Sequence, residues 1–398
     1  MQRFDTPQAV TKWLLERVPG VLHCDSRQIQ PGDGFVAWPG AAQDGRRFVR
    51  AALDAGAAAV VVEHDGADTF AFDEQAPVAA VMGLKAQAGH IASAFCQTPS
   101  GKLDVVAITG TNGKTSTAWW MAQLLSVCAH DCALVGTLGM GRVPSAADEA
   151  AGTALVPTGL TTPDPMRLQQ QLREFVNDGV NACAIEASSI GLVEGRLNGT
   201  QVKVAVFTNF TQDHLDFHGD MASYWAAKAM LFDWPGLAAA VVNLDDVRGR
   251  ELAASLSRRD LDLWTIAVGT GPVADTARLA GRHLVHTSHG MQWEVVERDG
   301  SGDEIDAHLL SLPVVGAYNV SNLLGVLASA RALGVPLANA VAAFAALSPV
   351  PGRMQPVAPA QGDASQVPWV LVDYAHTPDA LEKALQALQP VVKQRDGA

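Results

Sequence analysis

The stretch DVVAITGTNGKTSTAWWMAQLLS, residues 104–126, decides the fold. Its apolar run, 105–108, reads as a short buried strand ended by a glycine turn. Thr109, Gly110, Thr111, Asn112, Gly113, Lys114 and Thr115 follow, and residues 116–125 carry a helical pattern. Strand, glycine loop, Lys-Thr and helix together predict a phosphate cradle. Gly110 and Gly113 let backbone N–H groups approach an anion, and the helix turns its positive end toward the same point. In such a cradle Lys114 reaches the β- and γ-phosphates and the Thr115 hydroxyl ligates magnesium. The common phosphate-loop pattern has glycine five residues before Gly113, where this chain has Ile108, so only the G-K-T tail conforms.

The bulk properties set limits around that motif. A chain of 398 residues has room for two or three domains with real cores. A hydrophobic fraction of 48% with 36 glycines suits an α/β protein. The net charge of −13 argues against a nucleic-acid or anionic-membrane surface, so phosphate must be bound by local positive groups. No apolar run approaches the ~18 residues of a membrane span, and the N-terminus mixes charges in a way unlike a signal peptide. Cys24, Cys96 and Cys183 stand singly; Cys128 and Cys132 have helix spacing, but no second pair completes a zinc site. Buried free thiols and a cytoplasmic protein are the expectation.

Working outward, residues 1–100 form a first unit. Asp25-Ser26-Arg27 and the run PGDGFVA at 31–37 precede Asp44-Gly45-Arg46, a helix near 48–55 and a strand over 58–62. A turn-rich connector at 97–101 ends it. In the second unit, 145–158 reads as a surface loop. Thr161-Thr162-Pro163 lead to Asp164, a cap for a helix over 165–176; two hydroxyls at a helix N-terminus suit an anion, although capping explains such a pair equally well. Residues 181–187 read as a buried strand closed by Glu186, the place for a metal ligand at the carboxyl edge of a parallel sheet. Asp213, His214, Asp216 and His218 crowd a strand end, a composition that suits a metal. Lys228 lies among apolar residues of an amphipathic helix; a snorkelling surface lysine is the plain alternative, and burial would lower its pKa. A core strand over 238–245, an antiparallel extension over 260–311 and a helix over 323–333 complete the unit. A second boundary falls at 349–354, followed by a strand over 369–373 and a helix over 380–388.

The run G-T-N-G-K-T-S at 110–116 resembles that of the Mur ligases and their folylpolyglutamate synthase relatives, which join a carboxylate to an amine at the expense of ATP. Ser116 stands where that pattern most often has threonine. D-S-R, P-G-D-G-F-V-A and D-G-R together resemble the domain that holds the UDP end of the substrate in the member adding the third peptide residue. The resemblance implies substrate contacts from the backbone at Cys24, from Ser26 and Arg27, and from the loop Ala41-Ala42-Gln43, where relatives carry a polar residue. It places Thr161 and Thr162 at a substrate carboxylate. The segment EASSIGL at 186–192 is similar to the family's E-V-S-S-H-G-L, with Ile190 in place of histidine, and implies substrate contacts from Ser188, Glu194 and Arg196. In TQDHLDFHG, where Gln212 replaces a common arginine, His214 matches a magnesium ligand. Within YWAAKAMLF, Lys228 matches a lysine carbamylated by CO₂ that helps hold a second magnesium and the substrate. Asn319, Arg353, Asp373, His376 and Asp379 match positions close to the nucleotide.

The resemblance thus implies an α/β protein in three parts. These are a UDP-binding α/β domain (1–100), a central P-loop ATPase domain (101–348) whose mainly parallel sheet carries a small antiparallel extension, and the start of a Rossmann-like C-terminal domain (349–398). It further implies an ATP-dependent, ADP-forming amide ligase using two Mg²⁺ ions and a carbamate on Lys228. Its partners would be UDP-MurNAc-L-Ala-D-Glu and a diamino acid, meso-diaminopimelate before L-lysine, with no nucleic acid, no membrane and a monomeric state. One β-α unit cannot close a Rossmann-like sheet, since compact domains rarely fall below ~50 residues; a shortened chain is therefore expected. Two rivals stand beside this: a folylpolyglutamate synthase, which would lack the D-S-R domain, and a non-catalytic binder of UDP-sugars or nucleotides.

Overall fold

The computed structural model describes residues 1–40, 43–144, 155–287, 290–357 and 370–394. Contacts divide the chain into two compact units. One comprises Met1–Leu103, Thr158–Asn181 and Ile190–Gln201; the other comprises Asp104–Pro157, Ala182–Ser189 and Val202–Ala398.

The first unit is built on β1 (Gln2–Phe4), β2 (Leu22–His23), β3 (Gly34–Ala37), β4 (Ala59–Glu63) and β5 (Val78–Val81), all parallel in the order β1-β5-β4-β3-β2. The central strands are apolar throughout because both faces are covered. Alternate residues take opposite sides. Val36, Val61 and Val81 pack with Trp13, Leu14 and Ile91, whereas Phe35, Val60, Val62 and Val78 pack with Val49 and Ala52.

The helix Leu84–Phe95 makes a close approach in this unit. A Cβ on Gly89 would lie 2.1 Å from the Asn198 carbonyl oxygen, while Asn198 Nδ2 donates to Ala86 O at 3.0 Å. Gly89→Ala must push these backbones apart and should cost about 1–3 kcal/mol. It is read as a lower urea midpoint at unchanged m-value; an unchanged midpoint would show that the 198–199 loop yields freely.

The second unit is a ten-stranded sheet. In chain order its strands are β6 (Asp104–Thr109), β7 (Cys132–Gly136), β8 (Gly139–Arg142), β9 (Ala182–Glu186), β10 (Val204–Phe207), β11 (Ala239–Asn243), β12 (Asp262–Val268), β13 (Leu279–Thr287), β14 (Gly290–Arg298) and β15 (Glu304–Leu312). The order is β15-β14-β13-β12-β11-β10-β6-β9-β7-β8. From β13 to β7 every pairing is parallel; the β13–β14, β14–β15 and β7–β8 pairings are antiparallel. The expected parallel sheet with an antiparallel extension is present, but the extension is shorter than 260–311: β12 pairs parallel with β11 and with β13, so antiparallel pairing begins only at β13–β14. The β6 strand sits between β10 and β9, so their carboxyl ends meet around the loop that follows it, the usual ligand position in such sheets.

The helix Lys114–Val127 buries every residue from Thr115 to Leu125, and the helix Ala317–Ala332 is nearly as enclosed. Both are apolar around most of their circumference because they serve as core. They pack with Val106, Ile108, Val206, Val241, Trp264 and Trp293.

Local details sharpen the sequence reading. Cys128 caps the helix Lys114–Val127 and Cys132 opens β7, so the pair shares no helix face; Ala129 between them takes φ 64° and turns the chain. All five thiols are free. The last helix runs Pro378–Gln394, longer than the pattern at 380–388 suggested, and β16 (Gln355–Val357) pairs antiparallel with β17 (Val370–Val372). Trp369 and most of the loop expected at 145–158 lie outside the described residues. Among the described residues no helix is long and apolar enough to cross a membrane.

Candidate active site

The loop after β6 is shaped from behind. Gly110 has φ 147°, and a Cβ there would fall 1.9 Å from Thr208 Oγ1. Thr208 Oγ1 donates to Asn112 O at 2.6 Å. Asn209 accepts from Asn112 N at 2.9 Å and donates Nδ2 to Asn112 O at 3.0 Å, and its carbonyl accepts from Thr111 N at 2.9 Å. Thr208 and Asn209 escaped the sequence reading. Their signal was a Thr-Asn pair directly after an apolar strand of the same sheet. The helix Lys114–Val127 starts at Gly113 with no side-chain cap, which leaves its positive end for an anion.

Three cations converge on this loop. Lys114 Nζ donates to Gly110 O and Thr111 O, both at 2.9 Å. Lys228 Nζ donates to the same Gly110 O at 2.7 Å. The third is Arg353, whose Nη2 donates to Thr115 Oγ1 at 3.2 Å while its guanidinium lies 4.6 Å from the Tyr374 ring centroid. Lys228 is only 1% exposed, so it does not snorkel. Burial holds it well below the usual lysine range, the Lys114 charge adds to this, and Asp213 opposes. Burial also lowers Lys114, against Glu186 and Asp213.

Glu186, with 0% exposure, ends β9 within reach of the Lys114 and Arg353 charges. One carboxylate oxygen accepts from Thr137 N at 2.7 Å, and the other from Thr115 Oγ1 at 2.9 Å and Thr137 Oγ1 at 3.3 Å. Burial raises its pKa, opposed chiefly by the Thr137 amide and Lys114. Thr137, just beyond β7, was also missed; a G-T step at a strand's carboxyl end was the only hint. His214 is left-handed, with φ 50°, a strained conformation of the kind held at functional sites. Burial lowers its pKa despite Asp213, with Oδ2 3.5 Å from Nε2, which favours the neutral imidazole that can ligate a metal. His218 Nε2 lies 3.0 Å from Ser189 Oγ.

The remaining expected nucleotide residues surround the loop less tightly. Ser116 is buried in the first turn of its helix. Asn319 donates to Val315 O at 2.9 Å. Asp373 accepts from Met354 N and Ala375 N, both at 2.8 Å, and so braces the segment carrying Arg353. Asn112 Nδ2 reaches Asp379 Oδ2 at 3.4 Å. His376 Nδ1 lies 2.9 Å from Tyr374 O, and the side chain is exposed. Ser188 is half-buried beyond β9.

The first unit gathers a separate set. The Cys24 thiol lies against Asp164, and burial together with that carboxylate pushes its pKa up. Asp164 caps the helix Pro165–Asn177 as expected, accepting from Met166 N and Arg167 N. Arg196 Nη1 donates to the carbonyl of buried Thr162 at 3.0 Å, and Glu194 pairs with Lys85 at 2.9 Å. Ser26 opens a single helical turn in which Asp25 holds Arg27 at 2.6 Å. Thr161 is half-buried and Gln43 exposed; Ala41 and Ala42 lie outside the described residues.

Magnesium takes hard oxygen ligands. Thr115 and Glu186 offer a hydroxyl and a buried carboxylate 2.9 Å apart, and Thr211 Oγ1 is buried nearby in sequence to His214 without a hydrogen-bond partner. That donor set fits a phosphate-bound divalent ion. Among the described residues, no three His, Cys, Asp or Glu side chains cluster as a metal centre by themselves.

Comparison with known proteins gives the same direction. A Mur ligase family catalytic-domain model matches residues 21–95, and a Mur ligase middle-domain model matches residues 108–330. The UDP-N-acetylmuramoyl-L-alanyl-D-glutamate–2,6-diaminopimelate ligase of an Acidovorax species is 55% identical over 399 residues, spanning 98% of this chain and 74% of that protein. Its counterpart in Pseudomonas aeruginosa is 42% identical over 96% of this chain and 72% of that protein. A solved structure of an enzyme of that name superposes with TM-score 0.74 at 32% identity, over 93% of this chain and 70% of that one. A folylpolyglutamate synthase from Mycobacterium tuberculosis, complexed with ADP and AMPPCP, shares the fold at TM-score 0.56 and 19% identity, over 77% of this chain and 71% of that one.

Proposed function

The chain belongs to the Mur ligase family, and from that premise we propose that it joins meso-2,6-diaminopimelate to UDP-MurNAc-L-Ala-D-Glu with ATP, a cytoplasmic step of peptidoglycan precursor synthesis. The observation that carries the chemistry is the meeting of Lys114 and Arg353 with the Thr115–Glu186 pair at the carboxyl ends of β6 and β9, with Lys228 held on the adjoining Gly110 carbonyl. Lys114, Arg353 and the uncapped helix end beside one buried carboxylate suit a triphosphate and the charge that develops on it. A carboxylate oxygen of the D-glutamate residue attacks the γ-phosphorus as the bond to the ADP oxygen breaks, giving an acyl phosphate. The deprotonated amine of the diamino acid then attacks the acyl carbon, phosphate departs, and an amide forms.

Lys114 and the uncapped helix end hold the phosphates, with Asn319, Arg353, Asp373 and His376 serving the nucleotide. Two magnesium ions would be held by Thr115 and Glu186, and by His214 and carbamylated Lys228, where they would neutralise the phosphate charge. The neutral Lys228 amine, favoured by burial, attacks CO₂ and loses one proton to give the carbamate, an anionic oxygen donor. Cys24, Ser26, Arg27, Gln43, Thr161, Thr162, Ser188, Glu194 and Arg196 hold the UDP-muramoyl dipeptide. The enzyme acts on small molecules as a monomer. Diaminopimelate is preferred to lysine because the relatives at 55% and 42% identity are diaminopimelate ligases by name.

Calorimetric titration with UDP-MurNAc-L-Ala-D-Glu tests this. Binding should be measurable, and Ser26→Ala and Arg196→Ala should weaken it, Arg196→Ala by about tenfold, the loss of one charge-assisted contact. Absence of binding by folded protein would sink the substrate assignment.

A further inference from the structure

Tyr224 is absent from every role given so far, yet the buried cluster is arranged around it. Its side chain is 0% exposed. Four residues on, in the helix Met221–Ala229, stands Lys228; that spacing puts both side chains on one helix face. The Lys228 ammonium lies 4.3 Å from the Tyr224 ring centroid. The same ring meets His214 edge-on at 6.0 Å and His218 at 5.0 Å, with Phe210 at 5.1 Å.

The hydroxyl has a different destination. It donates to Thr111 Oγ1 at 3.2 Å. Thr111 Oγ1 in turn accepts from Thr211 N at 3.0 Å and donates to Thr211 O at 3.1 Å. One helix face is therefore fastened to two successive loop residues, Gly110 through Lys228 and Thr111 through Tyr224. A phenylalanine would fill the same space as packing; a buried phenol needs a partner, and the partner here belongs to the phosphate loop.

Resting on the two-ion reading above, we propose that Tyr224 is a positioning residue: its ring sets the separation of His214 and Lys228, and its hydroxyl fixes the phosphate loop through Thr111. The two halves of the side chain thus have separable effects.

The experiment compares Tyr224→Phe, Tyr224→Leu and Phe210→Leu in the full chain. Lys228 carbamate is followed by ¹³C NMR in ¹³C-bicarbonate, Mn²⁺ stoichiometry by EPR with ADP present, ADP affinity by calorimetry, and folding by thermal melts. Tyr224→Phe should keep the carbamate and both ions while weakening ADP about three- to tenfold, the range for one lost hydrogen bond. Tyr224→Leu should lose the carbamate signal and weaken the second ion at least tenfold. Phe210→Leu, which trims packing against the Tyr224 and Trp225 rings and leaves Tyr224 itself in place, should lower the melting temperature and leave carbamate and stoichiometry intact.

Folded Tyr224→Leu with wild-type carbamate and ion binding overturns the proposal, as does Phe210→Leu matching the Tyr224→Leu losses. Should Tyr224→Leu not fold, Tyr224→Phe still decides: unchanged ADP affinity, or loss of the carbamate, overturns it. A wild-type protein with neither carbamate nor second ion sinks the two-ion reading itself and this inference with it.

Discussion

Lys228→Met should give a protein that has lost its chemistry and gained stability. The ammonium is almost wholly enclosed, and the charges acting on it are another cation, Lys114, and more weakly the carboxylate of Asp213. A methionine of similar length fills the space without a charge to desolvate. The expected gain at neutral pH is on the order of 1–4 kcal/mol, the range found when buried ionic groups give way to apolar ones of like volume. Ligase turnover should fall by about 10²–10³-fold, the cost of removing one preorganised group from a charge-stabilising site.

The pH dependence has a definite sign. Lys228 titrates lower in the folded protein than in the unfolded chain, where its value is near 10.4. Between the two values the unfolded chain binds more protons, so the native state gains stability as pH rises and loses it as pH falls through that window. The advantage of Lys228→Met over wild type should therefore be largest near pH 7 and shrink toward pH 10. Thermal melts across that range in CO₂-stripped buffer measure it. Bicarbonate should narrow the gap as well, since a carbamate formed only in the folded protein stabilises by mass action. A wild type at least as stable as Lys228→Met at pH 7 without CO₂ would show that Asp213 fully compensates the buried ammonium.

The same physics explains what was legible in the sequence. Apolar runs such as 105–108 and 182–185 announce strands covered on both faces, and glycine with Lys-Thr between strand and helix announces the cradle. The antiparallel extension was legible because short β-like runs over 260–311 are broken by Gly and charged turns, although that pattern did not show that β12 pairs parallel on both sides. The residues that brace the site were not. Thr208, Asn209, Thr137 and Tyr224 act through contacts with residues 96 to 113, or 49, positions away, and nothing in local spacing records such a partner. Lys228 could be read as a surface lysine for the same reason: its burial is decided by Gly110 and Tyr224. Likewise the grouping of 158–181 and 190–201 with the first unit depends on packing of the helix Pro165–Asn177 that its amphipathic pattern permits but does not specify.

Lys114→Met should abolish productive nucleotide binding and disturb Lys228 at a distance. Lys114 Nζ bridges the carbonyls of Gly110 and Thr111 at 2.9 Å each, poised over the loop where phosphate must lie. Losing a charge-assisted contact weakens ADP by about 10- to 100-fold, and turnover falls further because charge builds on the γ-phosphate during transfer. Lys114→Arg keeps the charge but not the compact ammonium that fits between two carbonyls, so it should restore little. The indirect effect is more diagnostic. Lys114 is one of the charges that holds Lys228 low; without it the Lys228 amine binds its proton more tightly, and the carbamate should form only at higher pH than in wild type. Calorimetry with ADP and ¹³C NMR across a pH series measure the two consequences on one sample. ADP affinity within threefold of wild type would remove Lys114 from the nucleotide site, and an unmoved carbamate titration would show that the two ammonium groups are screened from each other despite sharing the Gly110 carbonyl.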